Sequence, residues 1–546
     1  MKAFLGLFIT ATALLPAVTA DWQFRSRPDL APPRLNITIP ATDAVDAGYL
    51  FLTPFAGLAD TPTAQHGPRQ AAPYIFRDDG DLVWSGYAAF SVWAVNFQAA
   101  RWRGRDVLFA FEGDHNAGYG HGHGHFTFLD QHYETVRELR AGNHRLAYKH
   151  EFRIVDEETA LIQVYQPVPR DLSKWGAGPD QQWIVNAIFQ ELDISTGKVL
   201  FEWSSLDHVS PDEAVLGINP GHAGSGRNSS DAWDYFKINS VDKDARGDYL
   251  VSARDACAIL KVNGTDGSVI WRLHGKRSDF SLGPGASFCF QHHARWLSQD
   301  SSTGVEVISL LDNSAHGTER NSGRGVHTAP TSSAKILRLD TRARRAELLA
   351  KYTPPPGGDA LSKSQGSAQV LPNGNVLVGW GSEGAVTEFA AGGEPVFHAR
   401  LDSGALAEGV QNYRAFRFNW TGLPSEDPAI VALAGAGGTT VYVSWNGDTE
   451  TALWRFYAEA EGRGGFESRR LLGEVKRKSF ETSLFVPGKR LEAVSAEALD
   501  AAGKHLVSTA SVKTEPDIVP FRSGEKVLAK TMGRVWEQRI LKKTKF

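Results

Sequence analysis

The sequence predicts an all-β fold, a six-bladed β-propeller with a small C-terminal β extension. Three observations predict it. Helical periodicity is nearly absent beyond Pro40; a β-rich run, an Asp/Asn/Gly turn and a second β-rich run recur six times; and a second hairpin phrase is interleaved with the first.

Taken in order, Met1–Ala20 has a short basic start, an apolar run and the small residues Val18-Thr19-Ala20, the pattern of a secretory signal cleaved after Ala20. The apolar run is too short for a bilayer span, and no later segment approaches the roughly 20 residues one needs, so no transmembrane segment is expected. Asp21–Pro40 carries Pro28, Pro32, Pro33 and Pro40 and reads as an extended arm leading into a propeller over residues 21–455. The recurring phrases are Ile75–Trp84, Phe126–Asp130, Glu191–Trp203, Lys261–Arg272, Ile336–Asp340 and Thr387–Phe397, spaced by about 50 to 75 residues. The interleaved phrase occurs at Val241–Ser252 and Val370–Val378, with a degenerate copy at Phe152–Ile162. Two hairpins per unit make a four-stranded blade, and blades packed radially leave a central channel whose inner loops can host a site. A β-sandwich series is the alternative. Residues 456–513 read as further alternating strands, and residues 514–546 as a basic tail.

With 58 Lys and Arg against 62 Asp and Glu, the formal charge is −4, which excludes a nucleic-acid binder that works by basic excess. Four sequons, at Asn36, Asn228, Asn263 and Asn419, suit a secreted glycoprotein. Cys257 and Cys289 are the only cysteines. In an oxidising compartment they can form one disulfide, the alternative being two buried thiols.

Histidines are concentrated in His115–Phe126, where His121, His123 and His125 alternate. Glycines alternate with them, and no carboxylate or cysteine partner follows at a ligand spacing, so supporting roles are expected there and no metal. The phrase Phe288–Trp296 sets His292, His293 and Arg295 between aromatic residues just before an expected strand. One of the two imidazoles should face the channel, as nucleophile or general base, with a guanidinium to hold anionic oxygens. A histidine pair satisfied by backbone carbonyls is the bland alternative. Further catalytic candidates are His150, Lys237 and Arg254, and the candidates for substrate binding are Asn239, Asp255, Asn313, His327, Gln369 and Trp380.

The phrases Trp233–Asp244, Ile270–Phe280, Gln291–Arg295 and Leu371–Gly381 resemble the arylsulfotransferase family, in its fungal secreted branch, and the likeness runs in order from about Pro54 to Trp454. The resemblance implies a six-bladed propeller and, for the bacterial branch, sulfuryl transfer from a phenolic sulfate to another phenol through a transiently sulfated channel histidine. It implies a small aromatic substrate and no cofactor, with His293 as the preferred nucleophile. Sulfuryl transfer, like phosphoryl transfer, passes through a loose transition state, so positioning and cationic stabilisation suffice. The chain departs from the family pattern in that Lys237 stands where histidine is expected before Ile238-Asn239-Ser240, and Asp255 follows Arg254 where many relatives carry histidine. Two alternatives follow from those departures: a repurposed enzyme of secondary metabolism (cyclase, dehydratase or hydrolase), or a non-catalytic secreted binding propeller.

Overall fold

All six turn phrases close antiparallel hairpins, and five of them do so with the same backbone device. In the computed structural model the paired strands are Tyr74–Phe76 with Leu82–Ser85, His123–Leu129 with Thr135–Leu139, and Trp183–Asp193 with Val199–Ser204. The others are Ala258–Val262 with Val269–His274, Ser333–Asp340 with Arg345–Tyr352, and Ala385–Phe389 with Pro395–Arg400. Five pairs slip register next to the turn, whereas Ser333–Asp340 and Arg345–Tyr352 slip in mid-strand, between Ile336 and Leu337. Each turn also holds one residue in the left-handed region: Gly80, Tyr133, Gly197, Gly267, Arg344 or Gly393. That combination is the loop ending in a left-handed bulge residue that suits the twist of paired strands, and it explains why glycine recurs at four of the six turns. The structure describes residues 21–56, 68–90, 93–115, 121–219, 223–317, 326–356, 361–401, 410–460, 468–488 and 490–517. The expected signal peptide and most of the basic tail lie outside them.

Each hairpin is the outer half of a four-stranded antiparallel unit. The inner strands, in chain order, are Trp93–Trp102, Ala147–Val155, Ile238–Lys243, His292–Asp300 and Ser367–Val370; that of the first unit, Phe416–Phe418, comes from the other end of the chain and pairs with Tyr49–Leu52. The inner phrase expected at 241–252, 370–378 and 152–162 is the hairpin of first and second strands in three units. The last unit gains a fifth strand, Asn36–Ile39, which pairs with Pro395–Arg400. Apolar side chains gather between the units: six clusters each join two neighbours, and the cluster holding Leu50, Tyr74, Leu377 and Phe397 joins the last unit to the first. Strands with both faces packed in this way read as continuous apolar runs such as Val107, Leu108, Phe109, Ala110 and Phe111.

From Ala429 onward the strands pair only among themselves. Ala429–Gly435, Gly438–Ser444 and Leu453–Ala460, which the sequence reading places with the repeated units, pair with later strands instead, in two sheets. One sheet contains Glu481–Pro487, the other Ser468–Lys476 and Ala493–Leu499, and they enclose a cluster around Val441, Trp454, Phe456 and Val494.

No helix among the described residues is long and apolar enough to cross a membrane. Cys257 and Cys289 are joined in a disulfide across a sequence separation of 32. Closing a loop of that length stabilises a fold by about 3–4 kcal/mol through the unfolded chain. Replacing both cysteines with serine should therefore lower the urea midpoint by that amount divided by the m-value; an unchanged midpoint would show that the bridge adds nothing.

Of the sequon asparagines, Asn36, Asn228 and Asn419 are exposed and Asn263 is half-buried. Asn228 and Asn263 also accept backbone N–H groups in their own turns.

Candidate functional site

The first strands of four units carry a bulge at their starts, and the candidate residues cluster there. Register slips between Val95 and Gln98, Tyr148 and Phe152, Ile238 and Ser240, and His292 and Arg295. Asn96, Lys237, His293 and Gln365 adopt left-handed backbone conformations without being glycine. Such conformations cost about 1–2 kcal/mol each and persist where surrounding structure over-determines them. Their effect is to re-aim side chains that a regular strand would alternate between faces.

Two groupings result. The first is a buried ionic plug. Glu151 receives both Arg295, whose Nη2 lies 2.8 Å from Oε2 and 3.0 Å from Oε1, and Arg414, whose Nη1 lies 3.0 Å from Oε1. The Val241 N–H also donates to Glu151, and Arg414 donates to the Asn239 carbonyl. Burial pushes the Glu151 carboxyl up, but the two guanidiniums outweigh it and hold the group below the usual carboxylate range. Arg295 is thus an ion-pair partner of a carboxylate the sequence reading did not single out.

The second grouping contains His121, His150, Lys237, Arg254 and His292. His150 packs against the rings of Tyr148, Tyr165 and Tyr413, at centroid distances of 4.8, 6.1 and 5.4 Å. Tyr148 and Tyr165 are themselves stacked at 4.1 Å, and Tyr148 Oη lies 2.5 Å from His121 Nδ1. Lys237 pairs with Asp234 at 3.3 Å and lies 5.9 Å from the centroid of the Tyr165 ring. Arg254 Nη1 pairs with Asp255 at 2.9 Å, its Nη2 donates to the Lys363 carbonyl, and the guanidinium lies 5.5 Å from the Phe290 centroid. His316 Nε2 approaches Asp255 to 3.5 Å.

The adjacent histidines differ in their surroundings. Asn313 donates both amide hydrogens to the carbonyls of Ser362 and Gln365, so its Oδ1 can only accept, and His292 Nδ1–H donates to it at 2.7 Å. His292 Nε2 then accepts the Gln365 N–H at 3.2 Å, which leaves that imidazole no spare lone pair. His293 Nδ1 lies 3.0 Å from the Ala368 carbonyl, and its ring packs edge-on against Phe416 at 5.5 Å. Its charged neighbours are Arg295, Arg414 and Arg153, on the side of the plug, whereas those of His150 include Lys149 and Lys237.

Several expected binding residues take structural places. Trp380 is buried and donates to Thr387 Oγ1 at 2.8 Å. Gln369 and the Arg417 backbone exchange two hydrogen bonds, at 3.0 and 2.8 Å, clamping the last unit to the first. His327 is exposed, outside both groupings. Asn239 is buried and donates to the Gln291 carbonyl at 2.5 Å.

Some polar atoms here have no hydrogen-bond partner. Among the described residues they include His150 Nδ1, Asp234 Oδ1, Asn239 Oδ1, Arg254 Nε and Gln365 Oε1, all buried. Buried polar groups are normally paired, so several orphans beside one another mark a place built for another molecule. Tyr148, Tyr165, Asp234, Glu151, His316 and Arg414 were not predicted from the sequence. Asp234 lies inside a quoted phrase and Glu151 directly follows the candidate His150, so a search for carboxylates next to the candidate residues would have found them, whereas nothing local marks Arg414.

Burial, with Lys149, Lys237 and Arg254 as the nearby cations, holds His121, His150 and His292 neutral well below the usual histidine range, and burial beside Arg295 does the same for His293. Because the unfolded imidazoles take up protons near pH 6.5 and the folded ones do not, stability should fall as pH drops below that value. The slope is about 1.4 kcal/mol per pH unit for each histidine. Urea midpoints measured from pH 7.5 to 5.5 test this, and His293→Gln should flatten the slope; a midpoint constant over that range would show that these rings do not stay neutral.

A family profile described as arylsulfotransferase (ASST) matches residues 98–402, more than half of the chain. No curated protein matches it in sequence. Among solved structures, one of a protein of unknown function from Bacteroides caccae aligns with a TM-score of 0.35 at 10% identity, over 68% of this chain and 98% of that one. A streptogramin B lyase aligns at 0.27 and 10% identity over 69% and 83%, and a GH43 protein from Bacillus licheniformis at 0.31 and 10% over 78% and 90%.

Proposed function

The chain belongs to the arylsulfotransferase family, and from that premise we propose that it transfers a sulfuryl group between phenols through His150, at the centre of a closed six-bladed propeller. Six four-stranded units, joined pairwise by six apolar clusters of which one links last to first, support the closed ring. The domain division that follows is a propeller to about residue 428 and a β-sandwich from Ala429. The signal-like Met1–Ala20 and the disulfide support secretion.

One observation carries the choice of His150: its Nδ1 is buried, neutral and unpartnered, beside Lys237 and within an aromatic wall. A neutral imidazole lone pair is a nucleophile. In the first half-reaction Nδ1 attacks sulfur, the bond from sulfur to the aryl oxygen breaks and the phenolate leaves. Lys237 and Arg254 stabilise the negative oxygens of the loose transition state, and Tyr148 and Tyr165 hold the ring of the substrate. In the second half-reaction a phenol oxygen attacks the sulfur and the bond to Nδ1 breaks. His292, locked by Asn313 and Gln365, positions the wall, and Arg295 secures it through Glu151. This assignment gives His150 the role the sequence reading preferred for His293.

The protein purified from a secreting host, mixed with an aryl sulfate and a phenol, should release the donor phenol and form the acceptor sulfate. Absence of both products would remove the sulfuryl reading. A second reading is favoured by the two carboxylates, Asp234 and Asp255, that face Lys237 and Arg254 and shrink the local excess of positive charge. That is the repurposed enzyme acting on a phenolic metabolite without sulfate, and for it His150→Ala would abolish a conversion that proceeds with no sulfate donor.

A further inference from the structure

The Asp234 carboxylate is the strongest buried polar feature that the steps above leave unused. It is 4% exposed, and only one of its oxygens is occupied: Oδ2 faces Lys237 Nζ at 3.3 Å, whereas Oδ1 has no partner among the described residues. An anionic oxygen buried without a donor is costly, and at a site it marks the place of a donor that arrives with a ligand. A neutral phenol O–H is such a donor. The position suits one, because Asp234 is tied through Lys237 to Tyr165, the aromatic ring beside His150. The groups that face it are Lys237, Asp255, Arg254 and Tyr165.

We propose that Asp234 is the general base that takes the proton of the acceptor phenol, so that the site selects acceptors bearing an un-ionised aromatic hydroxyl. The inference rests on the sulfuryl-transfer reading above. In the second half-reaction the phenol O–H donates to Asp234 Oδ1 while the phenol oxygen forms its bond to sulfur. The bond between sulfur and His150 Nδ1 breaks, its electron pair returns to the imidazole, and the proton passes to the carboxylate. The protonated Asp234 then returns that proton to the phenolate that leaves from the next donor. The cycle consumes one aryl sulfate and one phenol and yields one phenol and one aryl sulfate. Burial pushes this carboxyl up, against Lys237, to about 6, the range in which one group can accept and return a proton at neutral pH.

The test separates the two half-reactions in the full-length secreted protein, with 4-nitrophenyl sulfate as donor. In Asp234→Asn the burst of nitrophenol, one per chain, should persist. Transfer to an acceptor phenol of pKa near 10 should fall at least a hundredfold, while transfer to acidic phenols, ionised already in solution, should fall less than fivefold. The acidic limb of the pH profile for transfer, with its midpoint near 6, should vanish with the carboxylate. Equal transfer by Asp234→Asn and wild type to phenols of every acidity would overturn the proposal. So would an equal loss with all acceptors together with a normal burst, since that marks a structural role. Asp234→Glu, which keeps the carboxylate, should restore part of the lost transfer if the fold tolerates it, and circular dichroism of both variants shows whether it does. If the wild type gives no burst and no transfer, the sulfuryl reading itself fails, an outcome distinct from each of these.

Discussion

Replacing His150 with alanine is expected to lower release of phenol from an aryl sulfate by on the order of a thousandfold or more, with the fold intact. Loss of a covalent nucleophile removes the step itself, and a thousandfold corresponds to about 4 kcal/mol of barrier. The comparison with neighbouring histidines makes the result specific. His292 has its Nδ1–H on Asn313 and its Nε2 on the Gln365 N–H, so His292→Gln should weaken turnover through disorder of the wall. His293 lies among Arg295, Arg414 and Arg153, on the side of the ionic plug, and His293→Ala should alter stability more than chemistry. Steady-state and burst kinetics of the three variants decide the matter; a His150→Ala enzyme with a normal burst would return the role to another residue.

The second large effect concerns stability. Glu151 is fully buried between Arg295 and Arg414, so Glu151→Ala leaves two guanidiniums unpaired in the interior. Breaking a buried pair by removing one partner costs about 3–5 kcal/mol, because an uncompensated charge remains. Three inner strands meet at this carboxylate: its own, that of Arg295, and the Val241 N–H of a third. Equilibrium urea denaturation should therefore show a shifted midpoint, and a loss below about 1 kcal/mol would mean that water or rearrangement satisfies the arginines. Glu151→Gln, which keeps volume and one acceptor, should lie between wild type and alanine.

The hairpin repeat was legible in the sequence because turn chemistry is local. Six phrases rich in Asp, Asn and Gly announce six hairpins, and every one is present. Partner choice is not local. Ala429–Gly435 and Gly438–Ser444 also form a hairpin, yet Gly438–Ser444 pairs onward with Glu481–Pro487, a partner set by packing around Trp454 and Phe456. Candidate residues were legible where a chemically unusual side chain stood at the start of a strand, as with His150, Lys237 and His292. Their roles were not, since a histidine's capacity depends on what occupies each nitrogen. Asn313 and Gln365 decide that for His292 from 21 and 73 residues away. Trp380 and Gln369 illustrate the converse: both are conspicuous in sequence, and both turn out to hold units together.

The pairing of Tyr49–Leu52 with Phe416–Phe418, and of Asn36–Ile39 with Pro395–Arg400, has a consequence for biosynthesis. During translation Asn36–Ile39, and one edge of Tyr49–Leu52, emerge hundreds of residues before their partners and wait with unmet backbone groups, so these two sheets cannot be completed until the ribosome has passed Phe418. Chains truncated before that point should therefore show a lower urea midpoint than the full-length protein, and an equal midpoint would show that these pairings add no stability.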